Sequence, residues 1–106
     1  MSFGIDLELP DGQWIGIVEG HTYNLTPMWV EGGVVENRSR DMDGLTSDEL
    51  GIRASRAVLL AVRYPDRFRA LNPDNGWGDF DGFLEIIVRT AVLCADNPGS
   101  IVRWNG

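Results

Sequence analysis

The sequence predicts an α+β protein: a small antiparallel sheet, built from an N-terminal hairpin and a short C-terminal strand, packed against two longer helices. Three patterns predict it. Apolar and polar residues alternate at the start, two long segments carry apolar stripes at helical spacing, and a short β-branched run lies near the end. The 106 residues form one domain, spanning positions 1–106. A chain of this size buries enough surface to fold without a disulfide or a structural metal.

Phe3, Ile5, Leu7 and Leu9 alternate with Gly4, Asp6 and Glu8, which is the period of a half-buried strand. Pro10-Asp11-Gly12 reads as a tight turn, and Trp14 to Glu19 as the returning strand. His21 to Leu25 continues that strand or leaves it. Thr26 then stands as an N-cap with Pro27 at the first helical position, opening a short helix that Gly32-Gly33 stops. Glu36 to Gly44 is polar and irregular and reads as a mobile surface loop.

Thr46 or Ser47 caps the next helix, with Asp48 and Glu49 in its positive first turn. Leu50, Ala54, Ala57, Val58 and Ala61 share one face of it. Pro65 breaks the run, and Pro65 to Leu71 is expected to form another helical turn. Asn72 to Gly78 is dense in turn residues. Asp79 caps a long helix to about Ala95, with Phe80, Phe83, Leu84, Ile87, Ala91 and Cys94 or Ala95 as its stripe. Asn97-Pro98-Gly99 ends it, and Ile101 to Trp104 is the last strand.

Net charge is −7, from 16 acidic and 9 basic side chains. Nucleic-acid binding rests largely on Lys and Arg replacing counterions at phosphates, so a direct nucleic-acid partner is not expected. Docking on an anionic membrane is disfavoured for the same reason. Every basic residue is Arg, which fits a GC-rich coding genome. MSFGIDLELP has neither a basic n-region nor an apolar h-region, so no secretory signal is expected and the cytoplasm is the default compartment.

Two segments stand out as candidate ligand-binding sites. His21, Thr22, Tyr23 and Asn24 are consecutive hydrogen-bonding side chains at a strand end, suited to the edge of a base or sugar, with Trp29 or Trp77 stacking on it. Asn72, Asn75, Gly76 and Trp77 belong to a loop whose glycines let backbone approach a ligand closely. Each also has a structural reading, as a hydrogen-bonded corner and a folded-back loop. Arg53, Arg56, Arg63, Arg67 and Arg69 line an anionic pocket or form a solvated face balanced by nearby acids, and the solvated face is favoured. Trp104 is expected to be exposed or to sit in a subunit contact. A short last strand leaves a sheet edge that allows self-association.

No catalytic residue, metal ligand or cofactor is expected. Cys94, the only cysteine, sits late in an apolar helix and reads as a buried, inert thiol rather than the partner of His21 in a dyad. No G-x-S-x-G occurs. Placing Gly44 at the sixth position of a calcium loop puts Ser39 first and Leu50 twelfth, so both key carboxylates are missing. An enzyme would have to rely on acids such as Asp79 and Asp81, which are equally suited to a helix start.

Thr22-Tyr23-Asn24-Leu25-Thr26-Pro27-Met28 and Leu71-Asn72-Pro73-Asp74-Asn75-Gly76-Trp77-Gly78-Asp79-Phe80 resemble two signatures of a family of small, uncharacterised bacteriophage and prophage proteins. The likeness runs over nearly the whole chain, with T-[H/Y]-N-L and NPxNGWGx[Y/F] as its marks. Tyr23 stands where many members have His. The resemblance implies a phage origin and a place in the host cytoplasm, and it carries no activity. Two functions are expected, the first from the polar strand end, the Gly-Trp-Gly loop, the Arg face and the phage-like signatures, the second from the acidic charge and four tryptophans. One is a non-enzymatic small-ligand binder that sequesters a nucleotide signal of host defence. The other is a protein-interaction module that binds and inhibits a host protein.

Overall fold

The computed structural model describes residues 1–106. Three strands, β1 (Ser2–Glu8), β2 (Trp14–Thr22) and β3 (Ile101–Asn105), form one antiparallel sheet in the order β2-β1-β3. Four α-helices follow the hairpin: α1 (Thr26–Glu31), α2 (Ser47–Arg63), α3 (Pro65–Arg69) and α4 (Phe80–Asp96). The α+β class read from the sequence is the class observed.

The alternation in β1 does what its period requires. Phe3, Ile5 and Leu7 are buried, while Asp6 and Glu8 turn to the other face and bond to Asn105 and Arg103 of β3. Register shifts between Phe3 and Ile5 and between Ile5 and Asp6 leave both Ile17 and Val18 of β2 buried. They also set His21 opposite Phe3, with its ring edge-on to Phe3 at 5.4 Å and to Trp29 at 5.7 Å.

Both long helices are capped from within the sequence. The Thr46 hydroxyl accepts from the Glu49 N–H at 3.1 Å, and the Asp79 carboxylate from the Gly82 N–H at 2.8 Å. Leu50, Ala54, Ala57 and Ala61 of α2 are buried, with Val58 half-buried. On α4 the buried row is Phe80, Phe83, Ile87, Thr90 and Cys94. Thr90 joins it because its hydroxyl donates to the Ile86 carbonyl at 2.8 Å, and Leu84 and Ala91 sit at its margin. Trp29 fills the space between layers, edge-on to Phe83 at 5.7 Å, and Phe83 stacks on Phe68 at 5.7 Å.

Three expectations are corrected. Thr26 does not cap α1, because the chain has already turned: the Thr22 hydroxyl accepts from the Asn24 N–H at 3.2 Å and starts a 3-10 turn, Tyr23–Leu25, that runs into the helix. Glu36 to Gly44 is not an open loop. It contains a 3-10 turn, Ser39–Met42, with Ser39 and Met42 buried. Trp104 is half-buried rather than exposed, and its indole N–H donates to the Ser39 hydroxyl at 3.1 Å.

The free edge of β3 is closed by the same segment. The Gly44 N–H donates to the Val102 carbonyl at 2.8 Å, the Val102 N–H to the Leu45 carbonyl at 2.8 Å, and the Trp104 N–H to the Asp43 carboxylate at 3.0 Å. The edge that the sequence left for pairing with another copy is therefore taken. No helix is long and apolar enough to cross a membrane.

Candidate functional site

A cleft of about 350 Å³ opens where the exit of β2 meets the end of β3. It is lined by Tyr23, Thr26, Asn37, Arg38, Ser39, Arg40 and Trp104. The sheet fixes its two aromatic sides. Tyr23 leaves β2 and packs its ring against Phe3 at 5.6 Å, and Trp104 stands on β3 opposite Ile5. The 3-10 turn supplies the polar wall, held by the Ser39 bond to Trp104 and by the Asp41 carboxylate, which accepts from the Arg38 N–H at 3.1 Å.

The two charged residues of the lining, Arg38 and Arg40, are both cationic. Arg38 and Asp41 lie 3.9 Å apart in an exposed, loose pair, and Arg40 has no acidic partner in the chain. The Thr26 hydroxyl is shielded from solvent and makes no hydrogen bond. An aromatic pair beside guanidinium groups suits a flat ring carrying an anionic group.

The sequence candidates divide among three places. Tyr23 lines the cleft. His21 and Trp29 belong to the aromatic core, where Trp29 is fully buried and offers no face to a ligand. Thr22 and Asn24 are used in the turn that ends β2. The Asn72–Gly78 loop lies next to that turn, since a Cβ on Gly78, at φ +95°, would stand 2.8 Å from the Thr22 methyl and 2.9 Å from Leu25. Its side chains serve the loop itself: Asn75 accepts from the Trp77 N–H at 3.0 Å, and Asn72 from the Phe80 N–H at 2.8 Å. Gly76 takes the left-handed backbone that turns it. Trp77 is 66% exposed and faces none of the four principal cavities.

The five arginines of residues 53 to 69 do not line one pocket. Arg53 pairs with Glu49 at 2.7 Å, Arg67 with Glu31, and Arg69 with Asp66 at 3.7 Å. Arg63 and Arg67 lie over the Tyr64 ring at 5.5 and 5.3 Å, and Arg56 is exposed. The cleft's arginines, Arg38 and Arg40, were missed because they stand in an aperiodic polar stretch. The one signal was Met42, an apolar residue in that stretch that needs a core to enter.

Neither reactive side chain is prepared for catalysis. Burial holds His21 neutral, with its pKa lowered from 6.5 to about 4, and its Nε2 is unpartnered. Burial, and then the charge of Asp48, push the Cys94 thiol up to about 11. No three His, Cys, Asp or Glu side chains are grouped to hold a metal ion. No family model matches the chain, and neither a curated protein nor a solved structure matches it.

Proposed function

We propose that this chain is a non-enzymatic binding module of phage origin that holds a small, flat, anionic ligand in the Tyr23–Trp104 cleft, and that it sequesters a nucleotide signal of host defence in the host cytoplasm. One observation carries the reading. Two aromatic residues and two arginines border one cavity of about 350 Å³, a size within the range of small-molecule sites. Aromatic faces accept a base by stacking, and guanidiniums accept phosphate oxygens in a bidentate fork. Arg40 is free to do so because no carboxylate neutralises it. The phage-like signatures supply the biological setting, and Tyr23 belongs to one of them. The buried His21 and Cys94 support binding without chemistry.

The test is a thermal-stability screen of the purified chain against nucleotides and cyclic nucleotides. A ligand at about 100 times its Kd stabilises the fold by about 2.7 kcal/mol, a shift of several degrees in a domain of this size. Arg40→Ala, at an exposed position, abolishes the shift, whereas Trp77→Ala leaves it intact. A panel that shifts nothing, or a shift that Arg40→Ala retains, removes the reading.

A second reading rests on Trp77. A tryptophan 66% exposed at the tip of a loop is suited to anchoring in a host protein. Its mark is a stoichiometric partner captured from host lysate and lost in Trp77→Ala.

A further inference from the structure

Five of the exposed large apolar side chains lie on α2 and α4. Ile52, Leu59 and Val62 are 55%, 70% and 66% exposed, and Val88 and Val92 are 40% and 52% exposed. A groove of about 500 Å³ runs between the helices, with Gly51, Ser55, Ala91 and Ala95 among its walls. Small residues there leave room for a close neighbour, and contiguous exposed apolar surface of this kind marks an interaction site.

Four of these five apolar residues match one another across a single axis. The helices run antiparallel, since Ser47 donates to the Asn97 carbonyl at 2.8 Å and a Cβ on Gly51 would lie 3.1 Å from that of Cys94. Ser47 is thus level with Asn97 and Gly51 with Cys94, which puts the Ser55–Arg56 step level with Arg89–Thr90. That step is midway between Ile52 and Leu59 on α2. The same level falls midway between Val88 and Val92 on α4, to within half a residue. One two-fold axis crossing both helices there sets Ile52 against Leu59 of a second copy and Val88 against Val92. An isologous contact requires that kind of self-matching.

One pair of opposite charges obeys the same axis, while Arg56, beside the axis, faces Arg56 of the second copy. Asp48 and Arg63 stand at opposite ends of the α2 stripe, equally far from the Ser55–Arg56 step. Neither has an ion-pair partner in its own chain. Arg63 donates to the Tyr64 hydroxyl through Nε at 3.0 Å and lies over that ring at 5.5 Å, and its two terminal nitrogens make no hydrogen bond within the chain. We propose that a second copy of this chain covers the α2–α4 face, packing α2 on α2 and α4 on α4 in antiparallel fashion, with Asp48 of each copy paired to Arg63 of the other.

The experiment is the solution mass of the full chain, by light scattering and sedimentation, across a wide concentration range. The expected result is a dimer. Leu59→Glu makes it a monomer with unchanged circular dichroism, because the side chain is 70% exposed in one copy. Asp48→Arg and Arg63→Asp each weaken association by about tenfold, as two broken ion pairs do, and combining them restores most of it. A chain that is monomeric throughout, or a dimer that Leu59→Glu leaves intact, overturns the proposal. A monomer that instead takes up a lysate protein on this face overturns it in favour of a foreign partner. Failure of the combined variant to recover overturns the antiparallel register. None of these readouts depends on the cleft.

Discussion

Trp104 and Ser39, 65 positions apart in sequence, are joined by a 3.1 Å bond from the indole N–H to the hydroxyl. This bond fastens the polar segment to the sheet and sets both the aromatic side and the basic wall of the cleft. Ser39→Ala keeps the side-chain volume nearly constant but leaves the half-buried indole N–H unpaired, at a cost of about 1–3 kcal/mol. Urea unfolding measures that loss. Arg38 and Arg40 flank the freed position, so any nucleotide-induced thermal shift falls with it. Unchanged stability would mean that the 3-10 turn holds itself.

The seam between α1 and α2 depends on a missing side chain. A Cβ on Gly32 would lie 2.7 Å from the Cβ of Ala57, which sits in the middle of α2 and cannot swing away. The φ of Gly32 is −75°, so the backbone tolerates alanine and only the space is lacking. Gly32→Ala is therefore expected to destabilise by about 1–3 kcal/mol through overpacking. Adding Ala57→Gly reopens the space but lowers helix propensity by about 1 kcal/mol. The double variant is expected to lose less than the sum of the two single changes. Strict additivity in the unfolding free energies would rule out the contact.

The fold was legible wherever a local period carried the information. The β1 alternation and the α4 stripe each repeat over enough residues to specify a face, and Asp79 announces the helix that starts at the next residue. What escaped is held by distant partners. Residues 36 to 44 look like loop because their anchors, Val102 and Trp104, lie some 60 residues on and no local pattern names them. The Thr26 cap failed because Thr22 competes for the same turn. Of the candidate cleft only Tyr23 was singled out by the sequence, since a strand exit marks where side chains gather but not which loop returns to meet them.

Trp77 separates the two functional readings without disturbing the fold. Its side chain is 66% exposed, and within the loop its backbone N–H, not its ring, makes the bond to Asn75. Trp77→Ala should change stability by no more than about 0.5 kcal/mol. A loss of several kcal/mol in chemical denaturation would show instead that the ring packs into the structure. Gly78→Ala is the contrasting variant. It forces a side chain into left-handed backbone against Thr22 and Leu25, and destabilises by more than 1 kcal/mol.

His21 makes the fold sensitive to acid. Its pKa is lowered from 6.5 to about 4 because burial among Phe3 and Trp29 denies the charged ring its hydration. Between those two values the unfolded chain binds a proton that the folded chain refuses, so stability rises with pH across the window. The contribution is complete above about pH 6.5 and is lost progressively as pH falls to about 4. A difference of this size amounts to about 3 kcal/mol. His21→Phe keeps a ring in the same aromatic nest and removes both the titration and the unpartnered Nε2. Unfolding free energies of the two proteins, compared from neutral pH down to about 4, should diverge through this window, with the variant losing less. Parallel curves would mean that the histidine accepts its proton in the folded state and that the nest opens to water.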